Sequence, residues 1–443
     1  MQSNPMKKLQ TITLGCSKNK VDTEHILSQV EDHYEIVPEG EDIPVDVLML
    51  NTCGFIGDAK EESVQAILEA VERKKRGEVG RIIVFGCLSQ RYHNEMPELI
   101  PEVDEWFGAR DFDPVIKALG VEPDPHGNER RYLTTPSHYA YLKISEGCDR
   151  RCSYCAIPFI RGAHKSVPIE TLVKEAEHLA AKGVRELIII AQDTTYYGLD
   201  LYRRRALAEL LQKLSEVEGI EWIRIHYSYP AAFPEDVLDQ MANNPKVCRY
   251  MDIPLQHIAD KVLDNMHRNV DGAWTRELIR KMREKVPGVV LRTTMIVGHP
   301  GEGKRAFAEL LDFVKEARFE RLGAFKYSEE EGTYGAENFK DSLSARVKQE
   351  RLDELMEVQS GISLAFNQSR VGSEIDVIVD DFTDGVLVCR SEFESPEVDG
   401  EILVRYDAGK AEGVDPYSLV GEFIKVRIIG ADEYDLIAEI VEI

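Results

Sequence analysis

The stretch GCDRRCSYC, residues 147–155, sets three cysteines, Cys148, Cys152 and Cys155, in the spacing Cys-x-x-x-Cys-x-x-Cys. Three thiolates on one loop can hold three irons of a 4Fe–4S cluster and leave the fourth open to a small chelating ligand. A structural zinc knuckle wants four ligands and a closed tetrahedron. No further Cys or His stands at suitable spacing nearby, His164 lying nine residues on. The loop follows an apolar run, AYLKIS (140–145), the first of six strand candidates. The others are ELIIIAQ (186–192), EWIRIHYS (221–228), YMDIPL (250–255), VVLRTTMIVG (289–298) and RLGAFKYS (321–328). Helical stretches such as PIETLVKEAEHLAAKG (168–183) and DGAWTRELIRKMREKV (271–286) separate them. That alternation predicts a partial TIM-type (β/α)6 barrel over residues 139–365, ending in a long helix at 343–367.

Before the barrel, residues 1–120 alternate in the same way. Strand-like LQTITLG (9–15), DVLMLNT (46–52) and RIIVFG (81–86) are separated by helical VDTEHILSQVED (21–32) and DAKEESVQAILEAVERKKR (58–76). The order predicts a parallel sheet covered by helices. Residues 121–138, with three prolines and no periodicity, read as a linker. Cys16, Cys53 and Cys87 each fall just beyond one of these strands, 37 and 34 residues apart. In an open parallel sheet the C-terminal strand ends line one edge, where ligands bind. The three thiols are therefore expected to converge as a second three-thiolate site. Buried core thiols, the common fate of cysteine, would fall inside the strands, and Cys248 and Cys389 are read that way.

The tail, residues 366–443, contains four short strand-like runs at 374–382, 385–392, 400–406 and 422–430, and these predict a small antiparallel β-barrel. The chain carries a formal net charge of −25, and the tail alone holds 19 acidic against 6 basic residues. A surface of that sign repels phosphate backbones and attracts a basic protein. Asp380, Asp381, Asp384, Glu392, Glu394, Glu397, Asp399 and Glu401 crowd predicted turns, so most are expected to be exposed, and the tail to be separable from both cysteine sites. Hydrophobic content of 43% with 30% charged residues is that of a globular protein. No apolar run is long enough to span a bilayer and none near the N-terminus resembles an export signal. A cytoplasmic location without membrane attachment is expected, where clustered cysteines more often bind metal than form disulfides.

With Tyr154 before its last cysteine and a partial barrel around it, GCDRRCSYC resembles the radical S-adenosylmethionine superfamily. TLGCSKNKVDTE (13–24), NTCGFI (51–56) and FGCLSQ (85–90) add a resemblance to the methylthiotransferases over nearly the whole chain. The resemblance implies a flavodoxin-like N-terminal domain, a radical barrel and a C-terminal TRAM barrel. It also implies two 4Fe–4S clusters, on Cys16, Cys53 and Cys87 and on Cys148, Cys152 and Cys155. S-adenosylmethionine would serve both as methyl donor and as radical source, with a cellular electron donor. GCDRRCSYCAIPFIRG (147–162), AQDTTYYGLDLY (191–202) and YMDIPLQHI (250–258) are similar to the RimO branch, which modifies the β-carbon of an aspartate in ribosomal protein S-twelve. That substrate would be met through the acidic TRAM domain. The tRNA-modifying, MiaB-type branch usually shows an asparagine after the first Gly-Cys and a GQN-type motif where AQD stands here.

For S-adenosylmethionine, the resemblance carries over Tyr154, Gln192 and Asp193, and Gly298, Gly301 and Glu302 in IVGHPGE. His299, Gly303 and Lys304 depart from the usual pattern. No catalytic residue beyond the cluster ligands is nominated. Two alternatives stand beside this reading: a tRNA methylthiotransferase, and an iron–sulfur electron carrier or sensor without turnover.

Overall fold

The computed structural model describes residues 6–409 and 413–442; residues 1–5, 410–412 and 443, on which part of the N-terminal reading and of the tail's charge count rests, lie outside the described residues. The N-terminal sheet has five parallel strands: β1 (Lys7–Thr13), β2 (Tyr34–Val37), β3 (Val45–Thr52), β4 (Val79–Gly86) and β5 (Glu105–Trp106), in the order β2-β1-β3-β4-β5. Short β2 and β5 sit at its edges. One face buries Leu48, Leu50, Ile82 and Val84 under helix α2 (Gly57–Lys75). The other buries Leu9, Met49, Ile83 and Phe85 with Ile26 and Leu27 of helix α1 (Ser17–Val30). Arg73, Lys74 and Lys75 fall in the last turn of α2, where cations meet the negative end of the helix dipole.

The barrel strands are Tyr139–Lys143, Glu186–Ile190, Trp222–Ile225, Val247–Asp252, Val290–Val297 and Arg321–Lys326. All are parallel and in sequence order, forming one open six-stranded sheet. Alternate residues such as Leu142, Leu187 and Ile189 pack outward beneath the helices. Tyr139, Tyr141, Ile188 and Ile190 face the other way and bury Val21 of α1, so the first helix of the sheet domain packs onto the barrel's inner face. The stretch 121–138 is not a loose tether. Its Arg131 is fully buried, pairing with Glu24 of α1 and, at 2.8 Å, with Glu175 on the barrel helix Ile169–Ala181.

After the long helix Ala345–Ser369, strands Glu374–Thr383, Val386–Arg390, Ile402–Arg405, Phe423–Ala431 and Leu436–Glu442 close into a barrel. The expected all-antiparallel pairing is corrected at one seam, where Ile402–Val404 run parallel to Leu436–Ala438. The reason is topological: five strands in a ring cannot alternate direction all the way round.

The expected exposure of the acidic turns is also corrected. Asp381, Asp384, Glu397 and Glu401 are exposed, but Glu394 is 1% exposed, and Asp380, Glu392 and Asp399 are partly covered. The segment from Arg390 to Asp399 docks on the barrel. Glu394 accepts from Arg321 at 3.0 Å and pairs with Arg370. Asp399 accepts from the Tyr250 hydroxyl at 2.6 Å, and Glu392 from Arg249 at 2.6 Å. Arg390 reaches Glu186 at 2.7 Å, and Glu186 in turn holds Arg224 at 2.7 Å. Buried ions demand partners, so these carboxylates fasten the tail to the radical barrel. Among the described residues no helix is long and apolar enough to cross a membrane.

Candidate functional site

The register of the N-terminal sheet brings its three cysteines together. Thr13 lies beside Asn51 and Thr52 beside Gly86, which sets three strand ends level. Cys16 caps α1, Cys53 follows β3 directly, and Cys87 opens the short helix Cys87–Arg91 after β4. Gly15, at φ +92°, permits the approach: a Cβ there would stand 2.7 Å from the Cys53 Cβ. Ser63 pins Cys53 by accepting from its amide and donating to its carbonyl, both at 2.9 Å. Asn19 donates to the Leu14 carbonyl at 2.8 Å, and Asn51 donates to the Asn19 carbonyl at 2.8 Å. Cys53 and Cys87 are buried while Cys16 is exposed. Burial pushes the Cys87 thiol up to about 11, with Arg161 pulling the other way.

The barrel cysteines sit on a loop folded back on itself. Gly147, at φ +72°, is needed because a Cβ there would meet the Ala163 carbonyl oxygen at 2.2 Å. The Cys148 amide donates to the Gly162 carbonyl at 3.0 Å, and the Cys155 amide to the Cys152 carbonyl at 3.1 Å. Two arginines and a tyrosine hold the loop. Arg150 and Arg268 place their guanidiniums 4.0 and 4.1 Å from the centroid of the Tyr229 ring. Arg268 also donates to the Cys152 sulfur at 3.5 Å and the Tyr154 hydroxyl at 3.4 Å. Burial pushes the Cys148 thiol up to about 12, and Cys155 is raised by the same cause.

The residues carried over for S-adenosylmethionine divide by what they touch. Tyr154 packs edge-on to His299, 6.2 Å between ring centroids. Gln192 donates to Glu146 at 2.8 Å, while its carbonyl oxygen is buried without a partner. Asp193 is fully engaged, accepting from Arg150 at 2.8 Å and from the Thr195 amide at 2.9 Å. Glu302 is engaged as well, by the Gly298 amide at 3.0 Å and by Arg351. Gly298 and Gly301 take φ +80° and +99°, where side chains would run into Lys348 and Asn265. Asp193 brings the cysteine loop to the second strand end, and Glu302 closes the glycine turn.

The two triads share a seam. Arg161 ends the helix Ile157–Arg161, which follows the barrel cysteine loop, and donates from Nε to the Cys87 sulfur at 3.2 Å. It also donates to Asp22 of α1 at 2.7 Å and to Glu146 at 3.2 Å. Lys143 binds Asp22 and, at 2.8 Å, Glu146. Across this seam Glu330, beyond the last barrel strand, takes Lys60 at 2.9 Å and Arg91 at 3.1 Å from the sheet domain. Among the described residues, no three His, Cys, Asp or Glu side chains stand close enough to share a single metal ion. The donors of each triad are three thiols with no acid or imidazole among them, a soft set suited to an iron–sulfur cluster, whose ligands stand further apart than those of one ion.

Comparison with known proteins agrees with this organisation. Residues 142–314 match the Radical SAM superfamily, residues 8–108 the uncharacterized protein family UPF0004, and residues 371–441 the TRAM domain. A protein of Porphyromonas gingivalis strain W83, named ribosomal protein uS12 methylthiotransferase RimO, is 50% identical over 98% of this chain and 99% of its own length. A protein of the same name from Bacteroides fragilis is 48% identical over the same shares. Among solved structures, the radical S-adenosylmethionine methyltransferase TsrM from Kitasatospora setae, with cobalamin and a [4Fe-4S] cluster bound, matches with a TM-score of 0.54. At 14% identity over 75% of this chain and 78% of that one, this is a likeness of fold.

Proposed function

The chain belongs to the family of ribosomal protein uS12 methylthiotransferases named RimO, and from that premise we propose that it places a methylthio group on the β-carbon of an aspartate in uS12. S-adenosylmethionine serves twice, as methyl donor and as radical source. When bound, a 4Fe–4S cluster on Cys148, Cys152 and Cys155 supplies the electron that splits a sulfur–carbon bond of S-adenosylmethionine, and a second on Cys16, Cys53 and Cys87 presents the sulfur to be methylated. The observation that carries the reading is the shared seam: the helix that follows one triad's loop sends Arg161 to a thiol of the other.

The surrounding residues act by position. Arg150, Tyr229 and Arg268 lock the cysteine loop, and Gln192 offers an unpaired amide oxygen beside it. Tyr154 is partly covered and packs against His299. The α1 helix, packed on the inner face through Val21, helps keep water from a reactive carbon radical. The exposed carboxylates Asp381, Asp384 and Glu401 support a basic ribosomal protein as partner. The work belongs in the cytoplasm, with a cellular reductant supplying electrons. Mass spectrometry of uS12 from cells with and without the gene tests the reading. The expected result is one aspartate carrying a methylthio group only when the gene is present; an unmodified uS12 in both strains overturns it.

A further inference from the structure

Lys18 is the side chain at the seam that the reading above leaves unused. It lies in the first turn of α1, two positions beyond Cys16, and is 8% exposed. Its ammonium stands 3.0 Å from the centroid of the Tyr227 ring, just past the end of the third barrel strand. Among the described residues it has no hydrogen-bond acceptor and no ion-pair partner. The carboxylates of the seam and of the neighbouring strand end are taken: Asp22 by Lys143 and Arg161, Glu146 by those two and Gln192, Asp252 by Arg292 at 2.9 Å and the Tyr227 amide. The floor beside it is Val21, Tyr139, Tyr141, Ile188 and Ile190.

Burying an ammonium without an anion is costly. An aromatic face returns only part of that. A leucine or methionine would cover the Tyr227 ring without the desolvation cost, so packing alone does not account for a lysine. The three N–H donors form a site for a carboxylate supplied from outside the chain, located between the cysteine of the N-terminal triad and the barrel's strand ends.

We propose that Lys18 receives the side-chain carboxylate of the substrate aspartate and thereby selects aspartate over asparagine. The inference rests on the methylthiotransferase reading and adds the residue that fixes its substrate. The β-carbon to be modified is one bond from the carboxylate carbon. A carboxylate held at Lys18 therefore fixes that carbon between the two triads, where a hydrogen must leave and a methylthio group arrive.

The test uses the full-length, cluster-loaded protein as wild type, Lys18→Met and Lys18→Arg, with iron content showing that each variant folds. Affinity is measured for uS12, for uS12 with the modified aspartate changed to asparagine, and for S-adenosylmethionine. Wild type is expected to bind the aspartate form at least about 30-fold better than the asparagine form. Lys18→Met should bind the two alike, and Lys18→Arg should restore a preference for aspartate. Undiminished discrimination in Lys18→Met overturns the proposal. So does a loss of S-adenosylmethionine affinity with discrimination intact, which would make the methionine carboxylate the ligand. Absence of any methylthiolated uS12 with wild type overturns the functional reading itself, whereas normal modification by Lys18→Met with undiminished discrimination overturns only the role of Lys18.

Discussion

Cys148, Cys152 and Cys155 come from one loop, folded on its own backbone at Gly147 and Gly162, whereas Cys16, Cys53 and Cys87 come from three strand ends. The first set is local in sequence, and closing it costs little chain entropy. The second exists only when β1, β3 and β4 are in register, because a one-residue slip would turn each strand's side chains to the opposite face. Their supports differ accordingly. The loop is clasped by Arg150, Tyr229 and Arg268 from its own barrel. The strand-end set is held by Ser63 of its sheet domain, which donates to the Cys53 carbonyl, and by Arg161 of the barrel, which donates to the Cys87 sulfur. The sheet site thus takes a contact from the barrel, while the loop site is held by residues of its own barrel.

The largest effect expected from this difference is chemical. Cys152→Ala should reduce 5′-deoxyadenosine formation to background, since the loop would lose one of the three thiols proposed to hold its cluster, while iron on the N-terminal set is retained. Chromatography with iron analysis checks it, and persistent cleavage would break the assignment of roles. Next is the tail contact. Glu394→Ala leaves Arg321 and Arg370 buried without their acid and should cost about 3–5 kcal/mol. It should be read as a lower melting temperature with barrel strands losing hydrogen-exchange protection first. Equal loss in β1, β3 and β4 would mean that the two regions are not separately supported.

Smaller and more selective is the glycine pair. Gly15→Ala forces a side chain against Cys53 at positive φ, a strain of about 1–3 kcal/mol. It should lower iron on the N-terminal set and spare the loop, whereas Gly147→Ala should do the reverse. The smallest effect is acid sensitivity at the barrel's contact with the tail. Burial lowers His226 to about 3, so its neutral form contributes stability that starts to fall as pH drops through 6.5. Burial pushes Glu394 up, but Arg370 and Arg321 outweigh it and hold the carboxyl at about 2. Its contribution is lost between pH 4.5 and about 2. Both folded values are depressed, so stability rises with pH across these windows. Strands β1, β3 and β4 contain no histidine. Unfolding followed by hydrogen exchange from pH 7 to 5 should therefore show barrel strands weakening before the sheet, and uniform protection would contradict this.

Both triads were legible in the sequence for different reasons. Spacing alone displayed the loop set, while the strand-end set needed the alternation of strand and helix to be read first. The six barrel strands announced themselves as apolar runs. Four-residue β2 is too short to give a signal, and the closing strand Leu436–Glu442, which alternates as LIAEIVE, lies beyond the four strand-like runs of the tail. Side chains acting across the chain were invisible: nothing near Arg161, Arg268 or Lys18 says that each meets a partner far away in the sequence. Charge counting misled at Glu394 and Asp399, because a tally of acids does not register which are buried against arginines. Asp193 and Glu302 lie in the motifs that drew attention to them, yet their carboxylates are spent on Arg150 and Arg351.

The central claim is that two separate cysteine sites divide one reaction between them. Iron content and products of the double variant Cys53→Ala, Cys87→Ala test it most directly, against a reconstituted wild type holding roughly eight irons. The account predicts that the variant keeps roughly four irons, still cleaves S-adenosylmethionine to 5′-deoxyadenosine, and leaves uS12 without a methylthio group. Wild-type iron content with methylthiolated uS12 would contradict it.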